Sequence, residues 1–552
     1  MNQGETYGAN RMKETDILIT GGAVYDGSGS RPIEADIGIE GGRISMIIIR
    51  KPGNGNSRLK HAKNHIDAKG LAVAPGFIDT HGHSEFNLLA DSRAEGKVCQ
   101  GITTEINGNC GLSAAPLFDA ALKQRESDLE ELGIRERWST FNGYFSLLEK
   151  SGIAINFATL TGHGNIRASV IGYENRAPED HELQRMQVCL KDTFTEGSSG
   201  ISTGLIYPPG IYSATEELIA LCRYLSDNYG KRFPGVYASH MRSEGDGLLE
   251  AIQEVIRIGD ESGIRVHISH IKTSGKNNWN KIDSAISLIK EARNRGVQLT
   301  CDRYPYTAAS TDLDSILPSW AFEGGNREEL RRIADEGIRK EMEKDILRRH
   351  PDAEYWEGVF VSSVSSGKNQ WMEGKSIAFI AGNEQCEPIE MFFRILLEEK
   401  IRVGAIFSSM SEDNLRTFLK LPYVMIGTDS SARSADGPTN KGKPHPRGFG
   451  SFPRFLGKYV VKERLMSMSE AIRRITLLPA QTFGIHERGI IREGAYADVV
   501  VFDPQRIIDR ATFAEPFLFP EGISHVIVNG IPAVYEGKTT GKKAGKVLRN
   551  GQ

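Results

Sequence analysis

Residues 77–86 read FIDTHGHSEF and follow the apolar run AVAPG at 72–76. The stretch is an apolar strand ending in two histidines, His81 and His83. Side chains at i and i+2 on a strand point the same way, so the pair shares a face. An imidazole is costly to bury without a partner. In a parallel α/β barrel the C-terminal ends of the strands carry the chemistry, and the pair falls at such an end. Two neutral imidazoles there suit Zn²⁺ or a similar borderline metal. Taken alone, H-x-H is a weak signal, since most such pairs are surface histidines, so partners must be sought at other strand ends.

Working outward, strand candidates recur at 72–79, 101–106, 153–160, 198–203, 234–239, 264–269, 297–302 and 423–428. Helical periodicity fills most of the gaps. EELIALCRYLSDN and GLLEAIQEVIRIGDESG space their apolar residues for one helix face, and the second closes on Gly263. SMSEAIRRITLLPA opens with Ser467-x-x-Glu470, a capping box. About eight β-α repeats predict an α/β chain built on a (β/α)₈ TIM-type barrel. Both chain ends differ from this rhythm. Residues 16–49 and 489–537 alternate short apolar strands with Gly, Asn and Asp turns. They predict one small β-sandwich made from residues 1–74 and 486–552, around a barrel at 75–485. Residues 312–363 are charge-rich and carry REELRRIADEGIRKEMEKDI, which predicts an inserted helical excursion. Such a segment either covers the barrel mouth or forms a solvated surface helix.

The chain has 552 residues, 39% hydrophobic and 25% charged, with room for more than one domain. A net charge of −3 and the lack of a basic cluster interleaved with aromatics argue against a nucleic-acid partner. The longest apolar runs, such as ISMIII and ADVVVF, are too short to span a bilayer. The N-terminus MNQGETYGANRMKETD is polar and without an apolar signal core, so a loose tail on a cytoplasmic protein is expected. The cysteines (Cys99, Cys110, Cys189, Cys222, Cys301 and Cys386) form no C-x-x-C pair, and a disulfide framework is not expected.

Partners for the histidine pair do occur. YASHMR places His240 after an apolar strand, and RVHISHIK holds His267 and His270. Val266, Ile268, His270 and Lys272 share one strand face, and His267 and Ser269 the other. Only one of the two histidines can then join the cluster. His270 is nearer the strand end and is preferred, with His267 turned toward a surrounding helix. VMIGTDSS adds Asp429, which by alternation faces the same side as Met425 and Gly427; the ordinary alternative is a turn cap.

This order of H-x-H, later single histidines and a final-strand Asp resembles the amidohydrolase superfamily. The finer resemblance is to the N-acyl-D-amino-acid deacylases, or D-aminoacylases. PGFIDTHGHSEF, QGITTEINGNCGLSAAPL, GISTGLIYPPGIYSATEELIAL, ASHMRSEG, ISHIKTSG, DRYPYTAAST, GTDSS and KPHPRGFGSFPRFL carry it, across residues 75–456. The resemblance implies a tightly bound zinc held by Cys110, His240 and His270. It implies a second, weaker or dispensable metal on His81 and His83, bridged by Cys110. Many relatives outside this subfamily bridge with a carboxylated lysine; a thiolate beside zinc loses its proton and can do the same anionic work. On carboxylate chemistry alone Glu105 rivals Cys110 as the bridge, and the motif favours Cys110. The α-carboxylate of a small-molecule substrate would meet Lys272, Tyr304, Ser310 and Arg447. Water activated at zinc would attack the amide, with Asp429 taking its proton and passing it to the leaving amine. TGHGNIR, with His163 and Arg167, follows another strand candidate and has no assigned role.

Two other readings remain open at this level. One is a cyclic-amide amidohydrolase of dihydroorotase or hydantoinase type. The other is a homologue that kept the fold and lost catalysis.

Overall fold

The computed structural model describes residues 15–50, 62–230, 233 and 235–550. All but the last two residues of the polar N-terminal tail lie outside these.

Eight parallel strands close a barrel. β1 (Phe77–Asp79), β2 (Ile102–Asn107) and β3 (Asn156–Thr159, continued by Thr161–Gly162) pair in that order. The continuation of β3 pairs with β4 (Gly200–Gly204). Then follow β5 (Val236–His240), β6 (Arg265–Ile268), β7 (Leu299–Arg303) and β8 (Val424–Ile426). The seam between β8 and β1 closes just past the strand ends. There the Asp429 N–H donates to His81 O at 2.8 Å and Gly82 bridges Ser430 in parallel. The candidate strand at 72–79 divides in two: Ala72–Pro75 leaves for the terminal sheet and only Phe77–Asp79 enters the barrel. The break is at Gly76, where a Cβ would lie 2.1 Å from Thr103 Oγ1, so no larger residue fits the turn.

The chain ends meet in a β-sandwich whose strands form one nine-stranded sheet. Ala72–Pro75 from the N-terminal part runs antiparallel to Val499–Phe502 from the C-terminal part and joins the two. This explains the run ADVVVF. Val499 and Val501 enter the sandwich core with Ile17, Ile37 and Ile527, while Val500 and Phe502 pack on the barrel side with Phe77 and Phe452. With both faces covered, the strand needs no polar alternation.

The helices follow their periodicity. Thr215–Tyr229 and Leu248–Ser262 bury one stripe each, and the second ends on left-handed Gly263. Ser467 caps Met468–Ile475 by accepting from the Glu470 N–H, but the Glu470 carboxylate turns to Arg473 and Arg474 instead of completing the box. The excursion is larger than its charged helices indicate. Between β7 and β8 lies a three-stranded antiparallel sheet of Ala308–Asp312, Val403–Ser408 and Val359–Val364. Helices Asn326–Ala334 and Glu336–Arg349 pack on its own apolar core, which includes Ile333, Met342, Trp356 and Phe392.

One buried charged group ties the barrel seam together. Lys97 is fully buried, and its Nζ lies 2.8 Å from Asp79 Oδ2 and 2.7 Å from Glu105 Oε1. It also donates to Thr428 Oγ1 at 2.6 Å and Ser430 O at 2.8 Å. Asp79 Oδ1 in turn accepts from the N–H groups of His81 (3.1 Å) and Thr428 (2.8 Å). Removing one partner of a buried ion pair leaves uncompensated charge, which costs about 3–5 kcal/mol. Lys97→Met should therefore lower unfolding free energy by about that amount in a denaturant titration. An unchanged midpoint would show that the network does not hold the seam.

Candidate active site

The ends of five strands converge on one cluster. His81 and His83 lie just beyond β1, Cys110 beyond β2, His240 ends β5, His270 lies beyond β6 and Asp429 beyond β8. Cys110 Sγ sits among three imidazoles, 3.2 Å from His81 Nε2, 3.5 Å from His270 Nε2 and 3.7 Å from His240 Nδ1. Asp429 Oδ1 is 3.3 Å from His83 Nε2 and 3.6 Å from His81 Nε2. The structure thus brings together all six residues picked out for metal and proton chemistry. Gly82 has to be glycine between the two histidines, because a Cβ there would lie 2.1 Å from Glu105 Oε1.

Strand alternation does not explain two of these placements. β6 ends at Ile268 and β8 at Ile426, and Val266, Ile268 and Met425 lie in the apolar layer shared with the helices. His270 and Asp429 reach the cluster because the backbone turns left-handed at each, with φ of 34° and 51°. Cys110 does the same at 53°. Such conformations cost non-glycine residues about 1–3 kcal/mol and persist only where surroundings enforce them. Here Asp302 accepts from the His270 N–H, and the Asp429 N–H is held by His81 O. His267 stays out of the cluster as expected. Its ring meets Phe483 of helix Leu477–Phe483 edge-on, with 5.3 Å between centroids, and its Nε2 is 3.0 Å from Asp302 Oδ2.

Electrostatics favours anionic sulfur and carboxylate. Burial opposes ionisation of Cys110, but the charge of His81 and hydrogen bonds from His240 and His270 outweigh it and hold the thiol well below its usual range. Burial is likewise overcome at Asp429 by the Arg447 guanidinium, then by His270 and His83, which keep the carboxyl well below the normal range. Burial of His83 is offset by its hydrogen bonds to Asp429 and Cys110, and its pKa rises to about 9.

The donor set suits a tetrahedral borderline metal. With metal–sulfur and metal–nitrogen bonds of about 2.3 and 2.05 Å, neighbouring ligands stand about 3.6 Å apart. The separations of Cys110 from His270 and His240, 3.5 and 3.7 Å, bracket that value. Among the described residues, His81, Cys110 and His270 form one possible metal-holding group, His81, His83 and Asp429 a second, and His240, Glu244 and His270 a third. Glu105, the rival bridge, is taken by Lys97 and by Ser84 Oγ at 2.8 Å.

Beside the cluster stands a cationic wall. Arg447 NH1 lies 2.8 Å from Asp429 Oδ2, NH2 donates to Ser310 O at 3.1 Å, and the guanidinium covers Tyr304 at 4.6 Å. Lys272 Nζ is 6.0 Å from the centre of the same ring, and the Tyr304 hydroxyl is buried with no hydrogen-bond partner among the described residues. The four residues expected around a substrate carboxylate are therefore neighbours. His163 and Arg167 are brought together elsewhere: both contact Glu217, at 2.8 and 2.6 Å.

Several residues here escaped the sequence reading. Glu244 Oε1 lies 2.8 Å from His270 Nδ1 and also pairs with Lys272. Asp302 lies 3.4 Å from His81 Nδ1. Both hold an imidazole of the cluster by the nitrogen turned away from Cys110, as carboxylates behind metal-binding histidines commonly do. The Tyr207 ring meets His240 edge-on at 5.0 Å. The only sequence signal was position, since Asp302 is on a strand end and Glu244 lies four residues past His240.

The model of the Amidohydrolase family matches residues 64–534. A D-aminoacylase of Alcaligenes xylosoxydans xylosoxydans is 34% identical over 97% of this chain and 97% of its own. A crystal structure of N-acyl-D-glutamate deacylase from Bordetella bronchiseptica, complexed with zinc and a phosphonate that mimics the tetrahedral intermediate, is 34% identical. It covers 97% of this chain and 100% of that one, with a TM-score of 0.80. A solved D-aminoacylase, described as having a binuclear metal centre with one-metal activation and second-metal attenuation, is 32% identical. It covers 97% of this chain and 100% of that one, at a TM-score of 0.79. This chain belongs to the amidohydrolase family, among its D-aminoacylases.

Proposed function

We propose that the chain is a zinc-dependent deacylase that hydrolyses N-acyl-D-amino acids to a carboxylate and a free D-amino acid. The observation that carries this reading is one thiol set among three imidazoles, with a carboxylate and a guanidinium alongside. The likeness to D-aminoacylase supports the D configuration. Residues 1–74 and 486–552 would form the sandwich and 75–485 the barrel. The free cysteines, and a thiol that must stay reduced to work, favour the cytoplasm.

Cys110, His240 and His270 would hold the working zinc, and His81 and His83 a second, dispensable ion. Bound zinc supplies Lewis-acid polarisation and makes water acidic enough to ionise near neutral pH. Asp429 takes the proton of the attacking water on its carboxylate and delivers it to the leaving nitrogen. Arg447, Lys272 and the Tyr304 hydroxyl orient the α-carboxylate, the arginine by its two-pronged fork. Tyr207, whose ring packs edge-on against His240 and whose hydroxyl pairs with Thr311 Oγ1 at 3.0 Å, is the candidate donor to the developing oxyanion. A hydantoin-type cyclic amide offers no free carboxylate for Arg447, Lys272 and Tyr304 to orient.

With zinc loaded, amine release should be fast from N-acetyl-D-amino acids and slow from their L-enantiomers. Ring opening of hydantoin that outpaced both would overturn the reading. Asp429→Asn should cut kcat by about 10²–10⁴-fold while zinc content stays at the wild-type level; unimpaired turnover would remove Asp429 from the proton path. Joint replacement of His81 and His83 by alanine should leave one zinc equivalent and substantial activity, whereas Cys110→Ala should lose both. The reverse ranking would point to an ordinary two-metal site.

A further inference from the structure

We infer that His445 is the positioning residue for Arg447, fixing the guanidinium that meets the substrate carboxylate. The inference rests on the carboxylate role assigned to Arg447 above. His445 is 4% exposed and stands between two prolines in KPHPR. Both ring nitrogens are engaged. Nδ1 accepts the backbone N–H of Arg447 at 3.0 Å, and Nε2 lies 3.0 Å from the carbonyl of Ala308.

That pattern fixes the tautomer. An Nδ1 that accepts leaves the proton on Nε2, which donates to Ala308 O. Burial and then the neighbouring Arg447 charge push the pKa of His445 well down, so the ring stays neutral. The Arg447 N–H is the first of helix Arg447–Arg454, and a helix leaves its first amide groups without internal partners. His445 satisfies that amide from outside the helix. At its other end it grips Ala308, two residues before Ser310, whose carbonyl holds the Arg447 guanidinium. A single imidazole thus anchors both the backbone of Arg447 and the strand against which its side chain rests.

The ring is packed as well as bonded. It meets Tyr306 at 5.1 Å, Tyr304 at 6.1 Å and Phe513 at 5.0 Å, all edge-on. Phe513 comes from the C-terminal part of the chain, and Lys443 Nζ donates to the neighbouring Ala514 O at 2.9 Å. The loop that carries Arg447 is therefore held by the excursion on one side and by the chain's C-terminal region on the other, with His445 at the contact.

The test is a double-mutant cycle on zinc-loaded enzyme, using His445→Phe, Arg447→Gln and the pair. Each is assayed on an N-acetyl-D-amino acid and on its decarboxylated N-acetylamine analogue. His445→Phe should lower kcat/KM on the acid by about 10²-fold, mainly through KM, because a shift of about 1 Å in a positioning group costs that much. Added to Arg447→Gln it should cost almost nothing further, as expected of coupled residues. His445→Asn, whose Oδ1 can still accept the Arg447 N–H, should keep much of the lost activity and the wild-type zinc content. Additive losses in the cycle would overturn the inference. If instead Arg447→Gln impairs both substrates equally, the carboxylate role of Arg447 fails, and non-additivity alone would still support positioning by His445.

Discussion

The buried ammonium of Lys97 is the constraint on which the site depends. A barrel of eight strands has a seam where the last strand must meet the first, and here both strands are only three residues long. Backbone pairing over so short a length cannot fix the seam. Lys97 does so by neutralising Asp79 and Glu105 and by reaching Thr428 and the carbonyl of Ser430. Asp79 then orders the amides of His81 and Thr428, one residue short of Asp429. The carboxylate proposed as the proton carrier and the first histidine of the pair are placed by the same ion network.

The same logic of paired charge runs through the site. Each cation of the wall is matched with a carboxylate: Arg447 with Asp429, and Lys272 with Glu244. Burial opposes ionisation of Asp429 and Glu244, and the neighbouring cations outweigh it and hold both carboxyls well below the usual range. Asp302 and Glu244 stand behind His81 and His270 and set which ring nitrogen faces Cys110. The backbone of Cys110, His270 and Asp429 is held left-handed around this arrangement. Strain and charge gather where the chemistry is to be done.

The barrel was legible because its strands repeat apolar runs before polar ends, and the sandwich because its turns are punctuated by Gly, Asn and Asp. The residues of the histidine–cysteine cluster were legible as a motif. Their geometry was less so: His270 and Asp429 face inward through left-handed turns that no alternation rule foresees. Lys97 was invisible, since a lysine in a four-residue helix reads as surface until the fold buries it. Glu244 and Asp302 went unread for the same reason, because an outer carboxylate is defined by what lies across the barrel. The excursion was underestimated because its strands Val359–Val364 and Val403–Ser408 are short and far apart in sequence, with only their mutual pairing to mark them.

In the proposed metal site the Cys110 thiolate stands where many other amidohydrolases use a carboxylated lysine. Zinc K-edge X-ray absorption on enzyme loaded with one equivalent of zinc tests it directly. A single sulfur scatterer near 2.3 Å, accompanied by two imidazole nitrogens, is the predicted shell. A shell of nitrogen and oxygen alone would contradict it.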